Sequence, residues 1–187
     1  MLIAGPDIPE PYDRFRHRLM FPIRDLQGHI IGFGGRALDA EQQPKYMNSP
    51  QTPLFDKGVV LYGLDQAAST IRHEGRAILV EGYFDVLMAH QQGYRNVVAP
   101  MGTALTPAQV HLLKRLTQRL YLALDSDAAG AMAMLRGLEV IREALDERTV
   151  PVPTAQGLVR FERELDGEVR IVSLPAGQDP DEVIRAN

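Results

Sequence analysis

Six acidic residues between positions 81 and 181 lie at or shortly after apolar segments of the kind that form buried strands. They are Glu81, Asp85, Asp125, Asp127, Asp179 and Asp181. Carboxylates gathered at one edge of a fold repel one another, and a hard divalent cation that prefers oxygen ligands offsets this repulsion. Two such ions can stabilise the attacking and leaving oxygens of a phosphoryl displacement. The acids therefore predict a site for Mg²⁺ or Mn²⁺ that supports phosphoryl transfer.

Four of these acids also have a structural interpretation. Asp127 could cap the helix that follows it, and Asp85 could be a first-turn acid favoured by the helix dipole. Asp179 and Asp181 flank Pro180 and could form an ordinary turn and cap. The metal-site interpretation is favoured because all these acids follow predicted strands.

The elements that must position the acids alternate between strand and helix after residue 76. Apolar runs at 77–81, 96–102, 119–125 and 168–174 predict four strands. Continuous apolar strands separated by helices are typical of a mainly parallel sheet covered on both faces. Sites in such α/β sheets form beyond the carboxyl ends of the strands, where the acids lie. Since alternate strand residues share one side, Asp125 and Asp127 can face the same point.

Helix signals are clear at several positions. A short helix is expected to stop at Gly75, and Thr106 with Pro107 predicts a helix N-terminus. The long helix predicted over 128–145 has one apolar face. That face consists of Met132, Leu135, Leu138, Ile141 and Leu145.

The segment 158–174 predicts a hairpin. Two alternating runs are joined by Asp166-Gly167, a strong type I′ turn signal. This hairpin would add an antiparallel strand before the fourth core strand and leave 149–157 as a loop. No function follows from this segment.

Residues 1–76 differ in composition from the rest. They are rich in Gly and Pro, and the runs 19–25 and 29–38 predict a β-hairpin that turns at Gln27-Gly28. The Pro-punctuated stretch 44–58 predicts an irregular loop. We therefore expect two domains: a small β-rich lobe over 1–76 and an α/β domain over 77–187.

Composition excludes several classes of protein. The 187-residue chain has no cysteine, which excludes disulfides and thiolate zinc sites. No apolar run suits a membrane span, and the first residues lack the pattern of a secretory signal, so a cytoplasmic protein without membrane contact is expected. Counting the six acids as neutralised turns the formal net charge of −4 into +2, so charge does not exclude nucleic acid.

Several motifs resemble a known family. "VEGYFDV" at 80–86, "LALDSDAAG" at 122–130 and "DPD" at 179–181 are similar to the TOPRIM signature. Together with "GFGGR" at 32–36 and "PKYMNSP" at 44–50, they resemble the catalytic core of bacterial replicative DNA primases of the DnaG type. The resemblance extends over nearly the whole chain.

The resemblance implies a function and a set of site residues. Such primases make short RNA primers on single-stranded DNA from NTPs, and all six acids match the family's metal ligands. Glu81, Asp125 and Asp127 are the expected catalytic group, with Glu81 assisting proton transfer. The residues expected to contact nucleotide or nucleic acid are Arg36, Lys45, Tyr46 and Lys57.

Family proteins are longer than this chain. We expect it to lack their N-terminal zinc-binding domain and the C-terminal region that binds the replicative helicase, so no zinc is expected here. We also expect this part to bind metal yet to prime poorly. Its site of action would be the replication fork on the nucleoid.

Some questions stay open at this stage. The i, i+2 spacing of Arg14, Arg16 and Arg18 predicts either a basic stripe on one strand face or residues that merely flank a strand. A TOPRIM nuclease, a topoisomerase-like protein or a binding-only TOPRIM module is the alternative function. Tyr83 and Tyr121 lie inside predicted TOPRIM elements and are unsuited to the nucleophile that a topoisomerase needs.

Overall fold

The structure is a computed structural model in which the chain forms two compact units, Met1–Phe55 and Asp56–Asn187. It describes residues 2–3, 10–102, 104–124, 128–145, 147–153, 159–165, 167–172, 175 and 182–184. Four of the predicted metal ligands lie outside these residues. They are Asp125, Asp127, Asp179 and Asp181.

The first unit is built from antiparallel strands. Its described residues include β1 (Leu2–Ile3), β2 (Tyr12–Asp13), β3 (Arg18–Arg24), β4 (Ile30–Ala37) and β5 (Tyr46–Asn48). β1 pairs with β2, and β3, β4 and β5 form one sheet in that order. The predicted hairpin is confirmed as β3 and β4.

The turn of this hairpin depends on Gly28 and Asp25. Gly28 has a φ of +86°, a left-handed conformation that favours glycine. The carboxylate of Asp25 accepts hydrogen bonds at 2.9 Å from the backbone N–H groups of Gln27 and His29. Desolvation raises the pKa of Asp25, but the hydrogen bonds from His29 and Gln27 and the nearby His29 ring outweigh it, so the pKa is lowered.

β5 corrects the prediction of an irregular loop over 44–58. Tyr46 pairs with Arg36 and Met47 with Gly35 along the free edge of β4. The backbone N–H of Ala37 also donates to the carbonyl of Lys45 at 2.8 Å. Proline spacing predicts turns, but it does not reveal that the neighbouring strand has an edge with backbone groups in need of partners.

The second unit contains an α/β sheet flanked by helices. Its described strands include β6 (Leu61–Tyr62), β7 (Ala77–Leu79), β8 (Val97–Pro100), β9 (Arg119–Leu122), β10 (Glu147–Pro153), β11 (Val159–Leu165) and β12 (Glu168–Ile171). Its described helices include α1 (Leu64–Glu74), α2 (Tyr83–Gln91), α3 (Pro107–Lys114) and α4 (Ala128–Ala144), and residues 182–184 are also helical.

The main sheet has the order β12-β9-β7-β8-β6. β12, β9, β7 and β8 are mutually parallel, which confirms the predicted four-stranded parallel sheet. β6 adds an antiparallel edge strand that the sequence did not predict. The two units divide between Phe55 and Asp56, so β6 and α1 belong to the second unit. These compact units are not the domains predicted from the sequence, and the domain boundary at residue 76 stays a prediction.

The helix ends follow the sequence signals. α1 ends at Gly75, whose φ of +64° lets its N–H close the last turn on the carbonyl of Ile71. α3 begins after Thr106, whose side chain accepts a hydrogen bond from the N–H of Gln109, with Pro107 in the first helical position. Both predictions are confirmed.

The predicted apolar face of α4 is only half right. Ile141 and Leu145 are buried in the core, whereas Met132 is 52% exposed and Leu135 58% exposed. Leu138, also on the predicted face, packs partly against the core, as does Met134, which the prediction left out. The helical period identifies apolar faces, but it does not say which one turns towards the sheet or how far along the helix.

The hairpin predicted at Asp166-Gly167 is wrong. β11 pairs antiparallel with β10 along seven residue pairs, and β12 pairs parallel with β9. Residues 149–153 are therefore strand rather than loop, since β-branched residues favour strand and a two-stranded ribbon tolerates proline on its edges. Gly167 is closely packed: a Cβ there would lie 3.1 Å from the carbonyl oxygen of Gln118.

Candidate metal and nucleotide site

Glu81 stands at the carboxyl end of β7. The backbone N–H of Val80 still donates to Val98 in β8 at 3.0 Å, and Val80 is buried. Glu81, the next residue, is exposed. The sheet thus places this carboxylate at its carboxyl edge, as predicted.

Asp85 lies in the first turn of α2. Its carboxylate oxygen accepts a hydrogen bond of 2.9 Å from the backbone N–H of Gly82, the residue before the helix. The structural interpretation of Asp85 as a first-turn acid is thus realised. A carboxylate that accepts a backbone N–H at a helix N-terminus can also bind a cation, because its two oxygens offer about four acceptor sites.

A cleft of about 300 Å³ opens at the carboxyl ends of β7, β8 and β9. The described residues that line it are mostly apolar and include two charged ones, Glu81 and Arg136. Arg136 projects from the middle of α4 and is exposed. A carboxylate and a guanidinium in one cleft suit a ligand that has both a metal-bound and a free phosphate group.

The sequence did not predict a role for Arg136. The signal available was a single cation inside an otherwise apolar stretch of α4, which begins just after Asp127. The path of α4 decides whether its middle residue, Arg136, lies beside the cleft. That geometry becomes clear only when the path of the helix is known.

The chemistry of the donors fits a hard divalent cation. Glu81 and Asp85 supply carboxylate oxygens, the ligands that Mg²⁺ and Mn²⁺ prefer. These two are the predicted ligands that the structure describes. Within the described ranges, no three His, Cys, Asp or Glu side chains form a group that could hold a metal, so the arrangement of the full set stays a prediction.

Arg36, Lys45 and Tyr46 come together in the first unit. The guanidinium carbon of Arg36 and the ammonium nitrogen of Lys45 each lie 5.8 Å from the centre of the Tyr46 ring. Both distances are in the range of cation–π contacts. Tyr46 is 43% exposed. An exposed ring flanked by two cations can stack on a base while the cations contact phosphates.

The basic stripe considered for Arg14, Arg16 and Arg18 is not formed. Of the three, only Arg18 lies in β3. Arg14 donates to the carbonyl of Asn48 at 3.2 Å, and Arg18 to that of Lys45 at 3.4 Å. Arg14 and Arg18 therefore help to hold β5, the strand that carries Tyr46.

Lys57 lies in the second unit, in the loop before β6, and is half-buried. Its carbonyl oxygen accepts a hydrogen bond from the side chain of Gln109 in α3. Gln109 is a second residue that the sequence interpretation missed. Its signal was the spacing Thr106-x-x-Gln109, which is typical of a capping box.

Comparisons with known proteins identify relatives of both units. The family model "DNA primase catalytic core, N-terminal domain" matches residues 1–68, and that of the Toprim domain matches residues 75–152. The DNA primase of Clostridium acetobutylicum is 43% identical over 176 residues, which are 94% of this chain and 26% of that protein.

Solved structures agree with these matches. A crystal structure of a DNA primase domain from Pseudomonas aeruginosa aligns with a TM-score of 0.84 and 42% identity, over 100% of this chain and 52% of the solved chain. A DnaG primase catalytic domain bound to single-stranded DNA aligns with a TM-score of 0.80 and 38% identity, over 100% of this chain and 54% of that chain.

The chain spans about a quarter of the length of the curated relatives it matches. None of the helices in its described ranges combines the length and apolar character that a bilayer crossing requires.

Proposed function

The chain belongs to the family of bacterial DNA primases of the DnaG type, and from that premise we propose that it carries the site that joins ribonucleotides into short RNA primers on single-stranded DNA. The observation that supports this most is the cleft at the carboxyl ends of β7, β8 and β9. Glu81 and Arg136 both line it. A carboxylate, which can hold a metal ion, and a cationic guanidinium at this edge of a parallel sheet suit the phosphates of a nucleotide.

The proposed reaction is a nucleotidyl transfer. The 3′-hydroxyl oxygen of the primer attacks the α-phosphorus of an NTP and forms a new P–O bond. The bond from that phosphorus to the bridging oxygen of the β-phosphate breaks, and pyrophosphate leaves. Such a reaction needs mostly positioning and charge stabilisation from the protein. Glu81 is our candidate to take up the hydroxyl proton, and Arg136 to hold a phosphate oxygen.

Metal binding is the second part of the proposal. The residues that would hold Mg²⁺ or Mn²⁺ are Glu81, Asp85, Asp125, Asp127, Asp179 and Asp181. A divalent cation held by carboxylates neutralises phosphate charge when it is bound. Of this set, Glu81, Asp125 and Asp127 form the proposed catalytic group.

Nucleic-acid contact is assigned to the basic residues. Tyr46 would stack on a base, and Arg36, Lys45 and Lys57 would contact phosphates of the nucleotide, template or primer. In the whole protein, the replicative helicase would be a further partner, and the work would take place at the replication fork.

No observation favours the nuclease, topoisomerase-like or binding-only alternatives. A topoisomerase requires an accessible tyrosine nucleophile. Tyr83 is buried, with its ring centre 4.9 Å from that of Tyr62, and Tyr121 lies within β9, between β12 and β7 in the sheet. Neither tyrosine is suited to attack a DNA backbone.

The proposal is tested by extension of an RNA primer annealed to a DNA template, with labelled NTPs and Mn²⁺. We expect Glu81→Gln to lower the rate at least about 100-fold, since it removes a catalytic carboxylate. Glu139→Gln, an exposed acid of α4, serves as the matched control and should leave the rate unchanged. Equal rates in Glu81→Gln and wild type would contradict the proposal.

A further inference from the structure

The loop that carries Lys57 is fastened to the first turn of α3 by one buried amide. The side-chain nitrogen of Gln109 donates hydrogen bonds to the carbonyl oxygens of Lys57, at 2.9 Å, and Val60, at 2.8 Å. Its side-chain oxygen accepts a hydrogen bond of 3.1 Å from the backbone N–H of Thr106. Gln109 is 0% exposed, so both ends of its amide find their partners inside the protein.

Two further side chains hold the same loop. The hydroxyl of Thr106 donates to the carbonyl of Gly58 at 2.5 Å. The carboxylate of Asp56 accepts the N–H of Gly58 at 2.8 Å. The carbonyl oxygens of the loop therefore lie at the N-terminal end of α3, where the helix dipole favours partial negative charge.

The amide of Gln109 does more than cap its helix. A capping box needs only an acceptor on the third helical residue, and glutamate serves there as well as glutamine. The two hydrogen bonds that glutamate could not donate are the ones that reach the loop, 52 and 49 residues away in sequence. The loop carbonyls, which need a hydrogen-bond donor, therefore account for glutamine at this position, whereas the helix cap does not.

Lys57 gains a fixed backbone from this arrangement. Its side chain is a flexible stem with an ammonium group at the end, and ordering such a chain against a phosphate costs conformational entropy. When the backbone is already held on the helix, less freedom is lost on binding. Residues that hold the loop can thus set how well Lys57 binds.

We propose that Gln109 is a positioning residue for Lys57 and that, through the loop, it sets the affinity of that lysine for a phosphate group. This inference rests on the assignment of Lys57 to phosphate contact in the proposed function. The phosphate belongs either to an NTP or to a nucleic-acid backbone. Both share the chemistry that an ammonium group recognises, and the two arms of the test separate them.

The test is a double-mutant cycle between Gln109 and Lys57. Gln109→Glu keeps the acceptor for Thr106 and loses both donors, whereas Gln109→Met loses the donors without adding charge. Each is combined with Lys57→Met, and binding is measured with ATP plus Mn²⁺ in one arm and a labelled single-stranded DNA oligonucleotide in the other. Asn96→Ala, which alters a buried residue away from the loop, is the control.

We expect both Gln109 variants to weaken binding about 10-fold in one arm or both when Lys57 is present, and by less than about 2-fold when it is Met. Asn96→Ala should have no effect. Circular dichroism establishes that each variant is folded. Should both Gln109 variants fail to fold, Thr106→Val, which removes the bond to Gly58, takes their place.

Two results would overturn the inference. One is an equal loss of affinity with and without Lys57, since the effect would then not act through the lysine. The other is unchanged affinity in folded variants in both arms. If Lys57→Met alone leaves both affinities unchanged, the assignment of Lys57 fails and the inference fails with it, while primer extension by the Glu81 site is unaffected.

Discussion

At the scale of single residues, the structure describes two of the predicted ligands, Glu81 just after β7 and Asp85 in the first turn of α2. Glu81 stands out because an exposed acid directly after a buried strand is easy to recognise. Arg136 and Gln109 were missed because their importance depends on which elements lie beside them. The proposed role of Arg136 depends on the cleft that it lines. That of Gln109 depends on its hydrogen bonds to a loop about 50 residues away in sequence.

Arg136 provides a prediction at this scale. We expect Arg136→Ala to weaken NTP binding about 10-fold, the size of one charge-assisted hydrogen bond to phosphate. Arg136→Lys should recover part of the affinity, because a lysine keeps the charge but loses the bidentate geometry. Fluorescence titration with a labelled NTP measures the effect.

Arg142→Ala is the control, since this exposed arginine lies in the last turn of the same helix. Equal binding by Arg136→Ala and Arg142→Ala would show that the cleft does not take a phosphate.

At the scale of elements, the parallel strands and the helix ends were predictable because each depends on local signals. The apolar runs and the Thr106-Pro107 start are examples. The pairing of β10 with β11 was not predictable, since an Asp-Gly pair is a strong hairpin signal only when the flanking strands pair with each other. Gly167 instead meets a packing requirement that comes from the rest of the fold.

The packing at Gly167 gives a prediction about stability. A Cβ there would lie 3.1 Å from the carbonyl oxygen of Gln118 and 3.2 Å from both terminal methyl carbons of Leu145. Gly167→Ala should lower the free energy of unfolding by about 1–3 kcal/mol, as overpacking does elsewhere. Urea denaturation followed by circular dichroism measures the change.

Gly137 in α4 is the matched comparison. A Cβ there would meet the side chain of Leu122 at 3.8 Å, an ordinary contact. Gly137→Ala should therefore raise the free energy of unfolding by up to about 1 kcal/mol through helix propensity. If both substitutions shift stability in the same direction, the account of Gly167 is wrong.

At the scale of the whole molecule, a formal net charge of −4 hides two opposite local characters. The second unit carries Glu81 at the carboxyl edge of its sheet, and the first unit carries Arg36 and Lys45 beside an exposed aromatic ring. A chain with this distribution can bind a polyanion in spite of its overall charge. Lys57 and Arg136 lie in the second unit, so the cations proposed to contact phosphates occur in both units.

The two cations beside Tyr46, Arg36 and Lys45, predict a salt dependence. Binding of single-stranded DNA should weaken as salt rises, because each neutralised phosphate releases a counterion. Removing one contacting cation in Lys45→Ala should reduce the slope of log K against log salt by about 0.7. Arg72→Ala, an exposed cation on α1, should leave the slope unchanged. An unaltered slope in Lys45→Ala would remove that lysine from the interface.

The central claim is that carboxylates at the carboxyl edge of the sheet hold a divalent cation. Calorimetric titration with Mn²⁺ tests it most directly, in the wild type and in the double variant Asp125→Asn with Asp127→Asn. We predict measurable heat of binding in the wild type. The double variant should lose at least about 10-fold in affinity, since each asparagine replaces a charged carboxylate ligand with a neutral amide. Absence of heat in the wild type, or equal affinity in both proteins, would contradict the claim.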